Sequence, residues 1–219
     1  MTENSISIDG PTASGKTTLG VELARCGGAA FLDTGLTFRA LAYAIQRGDL
    51  TVGADWRHVI DHRPLMFTPS EAEPEAAEAV LYQGKDITAE IWSGDLDETL
   101  RSVAADQSTR AQILRLHRDI VARHRRVVVV GRDVAVTLLP TAALHVYLTA
   151  SLPVRKERRR AQYRAEPGRS LAVGEATARD LENRAAIQAM ANSLDIDSTH
   201  LSAAAVLDKA LRGLGVETL

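Results

Sequence analysis

Gly10, Gly15, Lys16 and Thr17 stand in the order G-x-x-x-x-G-K-T, within the stretch GPTASGKT. That spacing belongs to a loop that wraps an anion. The two glycines can take backbone angles closed to other residues, so the run Gly10, Pro11, Thr12, Ala13, Ser14, Gly15 can turn its N–H groups inward. A helix opening near Lys16 would aim the positive end of its dipole at the same point. Lys16 would then reach the outer phosphates of a triphosphate, the Thr17 hydroxyl would take a Mg²⁺ position, and Thr18 would continue the same wall. The bland alternative is a chance Gly/Ser-rich loop. The apolar strand pattern before it (residues 5–9) and the helical pattern after it set that alternative aside.

Phosphoryl transfer asks for an aimed acceptor and for positive charge around the moving group. Arginines at strand ends are therefore the residues to seek, and three places supply them. Arg39 follows the turn at Asp33 after a short apolar run. It is either a bidentate clamp on an acceptor phosphate or a solvent-facing helix residue. Arg132 and Asp133 follow four consecutive valines, at the carboxyl end of a central strand, where ligands bind in open α/β sheets. They are either site residues or a structural pair. Arg155, Arg158 and Arg159, with Gln162, share one helix face by their i, i+3, i+4, i+7 spacing. That face is either a lid over the triphosphate or a solvated basic surface. Arg110 and Arg184 are single arginines on helical patterns and, taken alone, read as surface residues. His117, His124 and His145 have no partners at metal-ligand spacing, so no dedicated metal centre is expected.

The elements that would position these groups alternate. Strand patterns at 5–9, 30–32, 127–130, 144–148 and 194–197 are interleaved with helical patterns at 16–27, 36–47, 95–105, 108–124, 153–163, 173–190 and 202–213. This order argues for a parallel sheet covered on both faces. The valine run 127–130 marks a strand buried on both sides. The middle of the chain differs. Extended runs at 64–68 and 79–82 flank an acidic connection, 69–77, which reads as a small hairpin lobe with a mobile tip. Residues 55–102 are accordingly read as an insertion into a core formed by 1–54 and 103–219, with a lid at about 153–170.

Bulk properties bound the function. The chain has 219 residues, 45% of them hydrophobic, enough for one α/β domain with an insert. A formal charge of −2 and 4% aromatic residues give no field or stacking platform for nucleic acid. No stretch reaches the length of a membrane span, and the first residues carry no signal-peptide pattern. The single cysteine, Cys26, suits a reducing cytoplasm; its spacing from Leu19 and Leu23 predicts a packing role on their helix face.

Together these blocks resemble the bacterial-type cytidylate kinase (CMP/dCMP kinase) family. The matching stretches are IDGPTASGKTT at 8–18, LDTGLTFRALA at 32–42, GKDITAEIW at 84–92, SVAADQSTRAQIL at 102–114, GRDVAVTLLP at 131–140, VYLTAS at 146–151 and LDIDST at 194–199. The resemblance implies a three-layer P-loop nucleoside monophosphate kinase fold: a five-stranded parallel core sheet, an enlarged monophosphate-binding insert and a helical lid. It implies transfer of the γ-phosphate of Mg-ATP to CMP or dCMP by a cytoplasmic enzyme acting on small nucleotides, with a monomer as the expected form. It places Asp33 on the acceptor side, Arg39, Arg132 and Arg184 on the acceptor phosphate, Arg110 and Asp133 on the base edge, Asp180 on the ribose, and Arg155, Arg158 and Arg159 in the lid. Departures from the family pattern fall almost wholly on the acceptor side. They are Arg101 in place of a small hydroxyl residue, Val130 before Gly131, the pair Ala135 and Val136, and Asn192. Two other functions stay open: a diverged kinase with a different small acceptor, and an ATP-dependent switch without transfer.

Overall fold

β1 (Ile6–Asp9) is buried along its whole length and lies at the centre of the sheet. α1 (Lys16–Gly27) leaves the loop after it and returns the chain to β2 (Ala30–Asp33). α2 (Thr34–Gln46) starts on an Asp33 cap, whose carboxylate accepts the Gly35 N–H at 2.9 Å. β3 (Ile60–Arg63), β4 (Leu65–Met66), β5 (Ala79–Tyr82) and β6 (Lys85–Asp86) follow, then two single 3₁₀ turns at Glu90–Trp92 and Gly94–Leu96. α3 (Asp97–Ala105), α4 (Gln107–Ala122), β7 (Val127–Gly131), α5 (Val134–Thr137), β8 (Leu144–Thr149), α6 (Leu152–Ala165), α7 (Ala178–Gln188), β9 (Ser193–Asp197) and α8 (Ala203–Gly213) complete the chain. This computed structural model describes residues 4–68, 73–74, 76–165, 168–169 and 172–216.

The main sheet runs β4-β2-β7-β1-β8-β9. Its five strands β2, β7, β1, β8 and β9 are all parallel, as the alternating pattern predicts. Successive strands are added on opposite sides of β1, so its carboxyl end opens the crevice in which open α/β sheets bind ligands. One face carries α1 and α8 over Ile8, Val128, Val130 and Val146; the other carries α4 over Leu32, Val127 and Val129. Close approach of α1 depends on Gly20, where a Cβ would come within 2.6 Å of the Phe31 ring.

Three expectations need correction. The runs 64–68 and 79–82 do not form one hairpin. β5 pairs with β3 and β6 in a separate antiparallel sheet, while β4 adds an antiparallel edge to the main sheet, Phe31 opposite Leu65. The reason is alternation on an apolar run. Leu65 and Phe67 pack on the α1 side of the main sheet, and Met66 packs on the α4 side. Cys26 is exposed, because the last turn of α1 reaches the chain reversal at Gly28 (φ 53°) and Ala29 re-enters the core in its place. The helix expected over 173–190 begins only at Ala178, where Thr177 and Asp180 form a reciprocal capping box. The connection tip expected to be mobile includes residues 69–72 and 75, which lie outside the described residues, as do 166, 167 and 170 of the lid segment.

Residues of segment 55–102 share one apolar cluster with α2: Trp56, Ile60, Val80, Ile87, Ile91 and Leu96 pack against Leu36, Ala40 and Leu41. Among the described residues, no helix is long and apolar enough to cross a membrane.

Candidate active site

The loop between β1 and α1 has the geometry its glycines imply. Gly10 sits at φ 146°, and a Cβ there would stand 2.0 Å from the Leu148 carbonyl oxygen. Gly15 (φ 105°) caps α1, and Ala13 also takes a left-handed conformation (φ 63°). The Ser14 hydroxyl is buried without a hydrogen-bond partner among the described residues. An unpaired polar group of this kind inside an anion-wrapping loop suits a ligand oxygen. Lys16 folds back over the loop and donates to the Pro11 carbonyl at 2.9 Å. Burial pulls its pKa down to about 8; Asp33 opposes that shift and Arg132 adds to it. The Thr17 hydroxyl donates to the Asp33 carboxylate at 3.2 Å. Two hard oxygen groups at a phosphate loop suit Mg²⁺, which keeps several waters and takes phosphate oxygens. Among the described residues, no group of three or more His, Cys, Asp or Glu side chains converges as a metal centre. Beside the loop a cleft of about 570 Å³ is lined by Ala13, Thr18, Arg158, Gln162, Leu201 and Leu207, with a largely apolar wall suited to a nucleobase.

Asp9, at the end of β1, is a site residue that sequence reading passed over. Its buried carboxylate accepts the Val134 and Ala135 N–H groups at 2.7 and 2.9 Å and so anchors the short helix α5 behind the loop. Burial raises its pKa to about 6, with the two N–H donors pulling the other way. The strand pattern alone gave the Asp9 position no distinction.

The arginines divide by what they touch. Arg132 donates to the Thr12 hydroxyl at 2.8 Å and to Asp180 at 3.4 Å, so it reaches the phosphate loop from β7. Arg155 is buried and donates to three backbone carbonyls, of Ala150, Gly174 and Thr12, at 3.0, 3.0 and 3.3 Å. Arg158 donates to the Ser14 carbonyl at 2.9 Å and to Ser198. Both hold the loop backbone in this conformation. Arg159 is buried too, yet its Nε has no hydrogen-bond partner among the described residues. Burial lowers its pKa, and the guanidinium groups of Arg39 and Arg169 lower it further. Arg39 reaches the Ile91 carbonyl at 3.4 Å and lies 4.8 Å over the Trp92 ring; Arg169 lies 4.0 Å from the same ring. Two guanidiniums on one indole, with that of Arg159 close enough to feel both and Asp97 as a nearby acid, make a place where a multiply charged anion is favoured.

Arg110 and Asp133 are brought together at 2.6 Å, and Arg179 pairs with the same carboxylate. They border a small cleft with Phe38 and His117. Three expected acceptor residues are placed otherwise. Arg101 is exposed on α3 and donates to Asp97 of its own helix. Asp180 is buried, with one oxygen accepting from Thr177 in the capping box and the other from Arg132 at 3.4 Å. Arg184 makes a two-bond pair with Asp195 on β9, at 2.7 and 2.9 Å, and lies 5.5 Å over the Tyr147 ring. Sequence reading missed Trp92, Arg169, Arg179 and Glu78. Of these, only the Gly168-Arg169 pair beside the basic helix carried a visible cue.

A parallel α/β sheet, an anion-wrapping loop at the carboxyl end of its central strand and arginines converging from later segments define a P-loop kinase fold. Two solved structures share it: a shikimate kinase from Bacteroides thetaiotaomicron (TM-score 0.52, 15% identity, covering 97% of this chain and 98% of that one) and a gluconokinase from Sinorhizobium meliloti (TM-score 0.50, 14% identity, 98% and 93%). At that identity the likeness is one of fold alone. The family is set by sequence: the cytidylate kinase family model matches residues 6–214, and the chain belongs to that family. It is 33% identical over 222 residues to a cytidylate kinase of Herpetosiphon aurantiacus, covering 99% of this chain and 96% of that protein. It is 31% identical over 215 residues to cytidylate kinase 1 of Haemophilus influenzae, covering 94% and 91%.

Proposed function

We propose that the chain is a nucleoside monophosphate kinase that transfers the γ-phosphate of ATP to CMP or dCMP. The observation that carries this reading is the placement of Arg132. It touches the donor loop at Thr12 and its charge is felt by Lys16, so one guanidinium can hold the acceptor phosphate against the triphosphate. An oxygen of the acceptor phosphate attacks the γ-phosphorus in line, the bond to the bridging oxygen breaks, and ADP leaves. Lys16, the loop N–H groups and Arg159 stabilise the charge that spreads over the moving group. Bound Mg²⁺, held at Thr17 and positioned by Asp33, would neutralise phosphate charge. Arg39 and Arg132 clamp the acceptor phosphate; Arg110 and Asp133 face the base. In this reading 55–102 acts as the acceptor insert and about 153–170 as the lid, whose closure keeps water from the γ-phosphate. The enzyme works as a cytoplasmic monomer.

A second reading keeps the scaffold and changes the acceptor. It is favoured by Arg101, which points along its own helix, and by Asp133, which already holds two arginines. An ADP-release assay across CMP, dCMP, UMP, AMP and GMP separates the two. Turnover with CMP and dCMP well above the others is the expected result. Turnover no higher than the background ATP hydrolysis with all five would sink the first reading.

A further inference from the structure

Glu78 lies in segment 55–102, just before β5, yet its carboxylate reaches the phosphate-loop side of the molecule. One oxygen, Oε1, accepts two hydrogen bonds: the Asp33 backbone N–H at 2.6 Å and His62 Nε2 at 2.9 Å. His62 Nδ1 is 2.8 Å from the Thr37 hydroxyl, and that hydroxyl is 2.9 Å from His117 Nε2. His62, Thr37 and His117 are all buried. The chain of bonds therefore crosses four elements: β5's approach, β3, α2 and α4. Its inner end meets Asp33, which takes the Thr17 hydroxyl; its outer end, His117, lines the cleft shared by Arg110 and Asp133.

The bonds form one continuous chain. Burial brings the His117 pKa down to about 3, so that ring is neutral. The Thr37 hydroxyl bridges the His117 and His62 rings, and His62 Nε2 lies against the Glu78 carboxylate, an arrangement in which each bond strengthens the next.

The geometry says what this carboxylate does. Its Oε1 fixes the backbone N–H of Asp33, and the Asp33 side chain takes the Thr17 hydroxyl at 3.2 Å. A buried acceptor spent on orienting the residue beside Thr17 positions what that residue and Thr17 hold.

We propose that Glu78 is a positioning residue for the metal–triphosphate complex. The His62–Thr37–His117 relay holds it in place, so that the wall of the acceptor cleft and the Thr17–Asp33 pair move as one unit. This rests on the Thr17 side being where Mg²⁺ binds with ATP, and it does not depend on which acceptor is used.

The test is calorimetric titration of the whole chain with a non-hydrolysable ATP analogue, with and without Mg²⁺, with thermal melts to check folding. Glu78→Ala should lower the Mg²⁺-dependent gain in affinity by about tenfold, the scale at which groups that orient a metal's ligands act, and leave metal-free affinity nearly unchanged. Glu78→Gln keeps the accepting oxygen and should stay close to the parent. Thr37→Val cuts the relay while sparing Glu78 and should reduce the gain in the same direction; Thr37→Ser should restore it. An unchanged Mg²⁺-dependent gain in Glu78→Ala overturns the proposal, as does a Glu78→Gln loss equal to that of Glu78→Ala. If Glu78→Ala does not fold, an inert Thr37→Val overturns it instead. Absence of turnover with CMP would bear on the acceptor assignment alone, because the readout here is binding.

Discussion

The guanidinium of Arg132 donates to the hydroxyl of Thr12 at 2.8 Å, across 120 positions of sequence. This bond joins the end of β7 to the phosphate loop. In the proposed reaction it would let a single side chain meet both partners of the transfer. Asp180 fixes its other edge at 3.4 Å from within a capping box, so Arg132 is aimed before substrate arrives.

Arg132→Ala should therefore separate binding from transfer. The turnover number should fall by about two to three orders of magnitude, the scale of losing one pre-aimed charge donor. Affinity for an ATP analogue should change by no more than about threefold, since the loop keeps Lys16 and its N–H groups. Steady-state kinetics beside calorimetry gives both numbers. Equal loss in both would place Arg132 on the donor side.

Arg155 and Arg159 are neighbours on one helix with opposite consequences. Arg155→Ala removes a buried cation that holds three carbonyls, including that of Thr12. It should destabilise the fold by about 2–4 kcal/mol, as lost bonds to buried charge do, and loosen the loop. Arg159→Ala removes a guanidinium whose own burial and cationic neighbours disfavour its charge. Its thermal midpoint should hold or rise while turnover falls. Urea denaturation of the two variants checks the contrast; a midpoint loss in Arg159→Ala matching that of Arg155→Ala would refute it.

Lys16 sets an alkaline limit. With a pKa near 8 in the free protein, it carries its charge below that value and loses it above. The specificity constant for ATP reports the free enzyme, so kcat/KM should decline as pH rises through about 8. A plateau extending to pH 10 would contradict the depressed value.

His117 sets an acid limit on stability. Its ordinary pKa of 6.5 falls to about 3 on burial, so below pH 6.5 the unfolded chain takes up a proton that the folded chain refuses. The folded state thus keeps this stability above 6.5 and loses it as pH falls toward 3, by about 2 kcal/mol at pH 5. His117→Gln, which retains a donor for Thr37, should show a flatter urea midpoint between pH 7 and 5 than the parent. Parallel curves would remove His117 as the cause.

Much of this was legible in the chain. The phosphate loop, the strand–helix alternation and the valine strand are local signals, because glycine freedom, a helix dipole and hydrophobic period are set by near neighbours. The donor half of the site follows from GPTASGKT with its flanks, and the family likeness carried the acceptor half as a set of expected residues.

The tertiary structure decided which of those residues meet. Spacing puts Arg155, Arg158 and Arg159 on one helix face, but only packing sends two of them to loop carbonyls and leaves the third among other cations. Arg184 and Asp180 find Asp195 and Thr177 because α7 begins at a cap that fixes its rotation. β4 leaves the expected hairpin because its alternate side chains fill both faces of the main sheet. Partner choice among charged and apolar groups depends on what lies opposite in space, and for Glu78 that partner, Asp33, is 45 positions away in sequence.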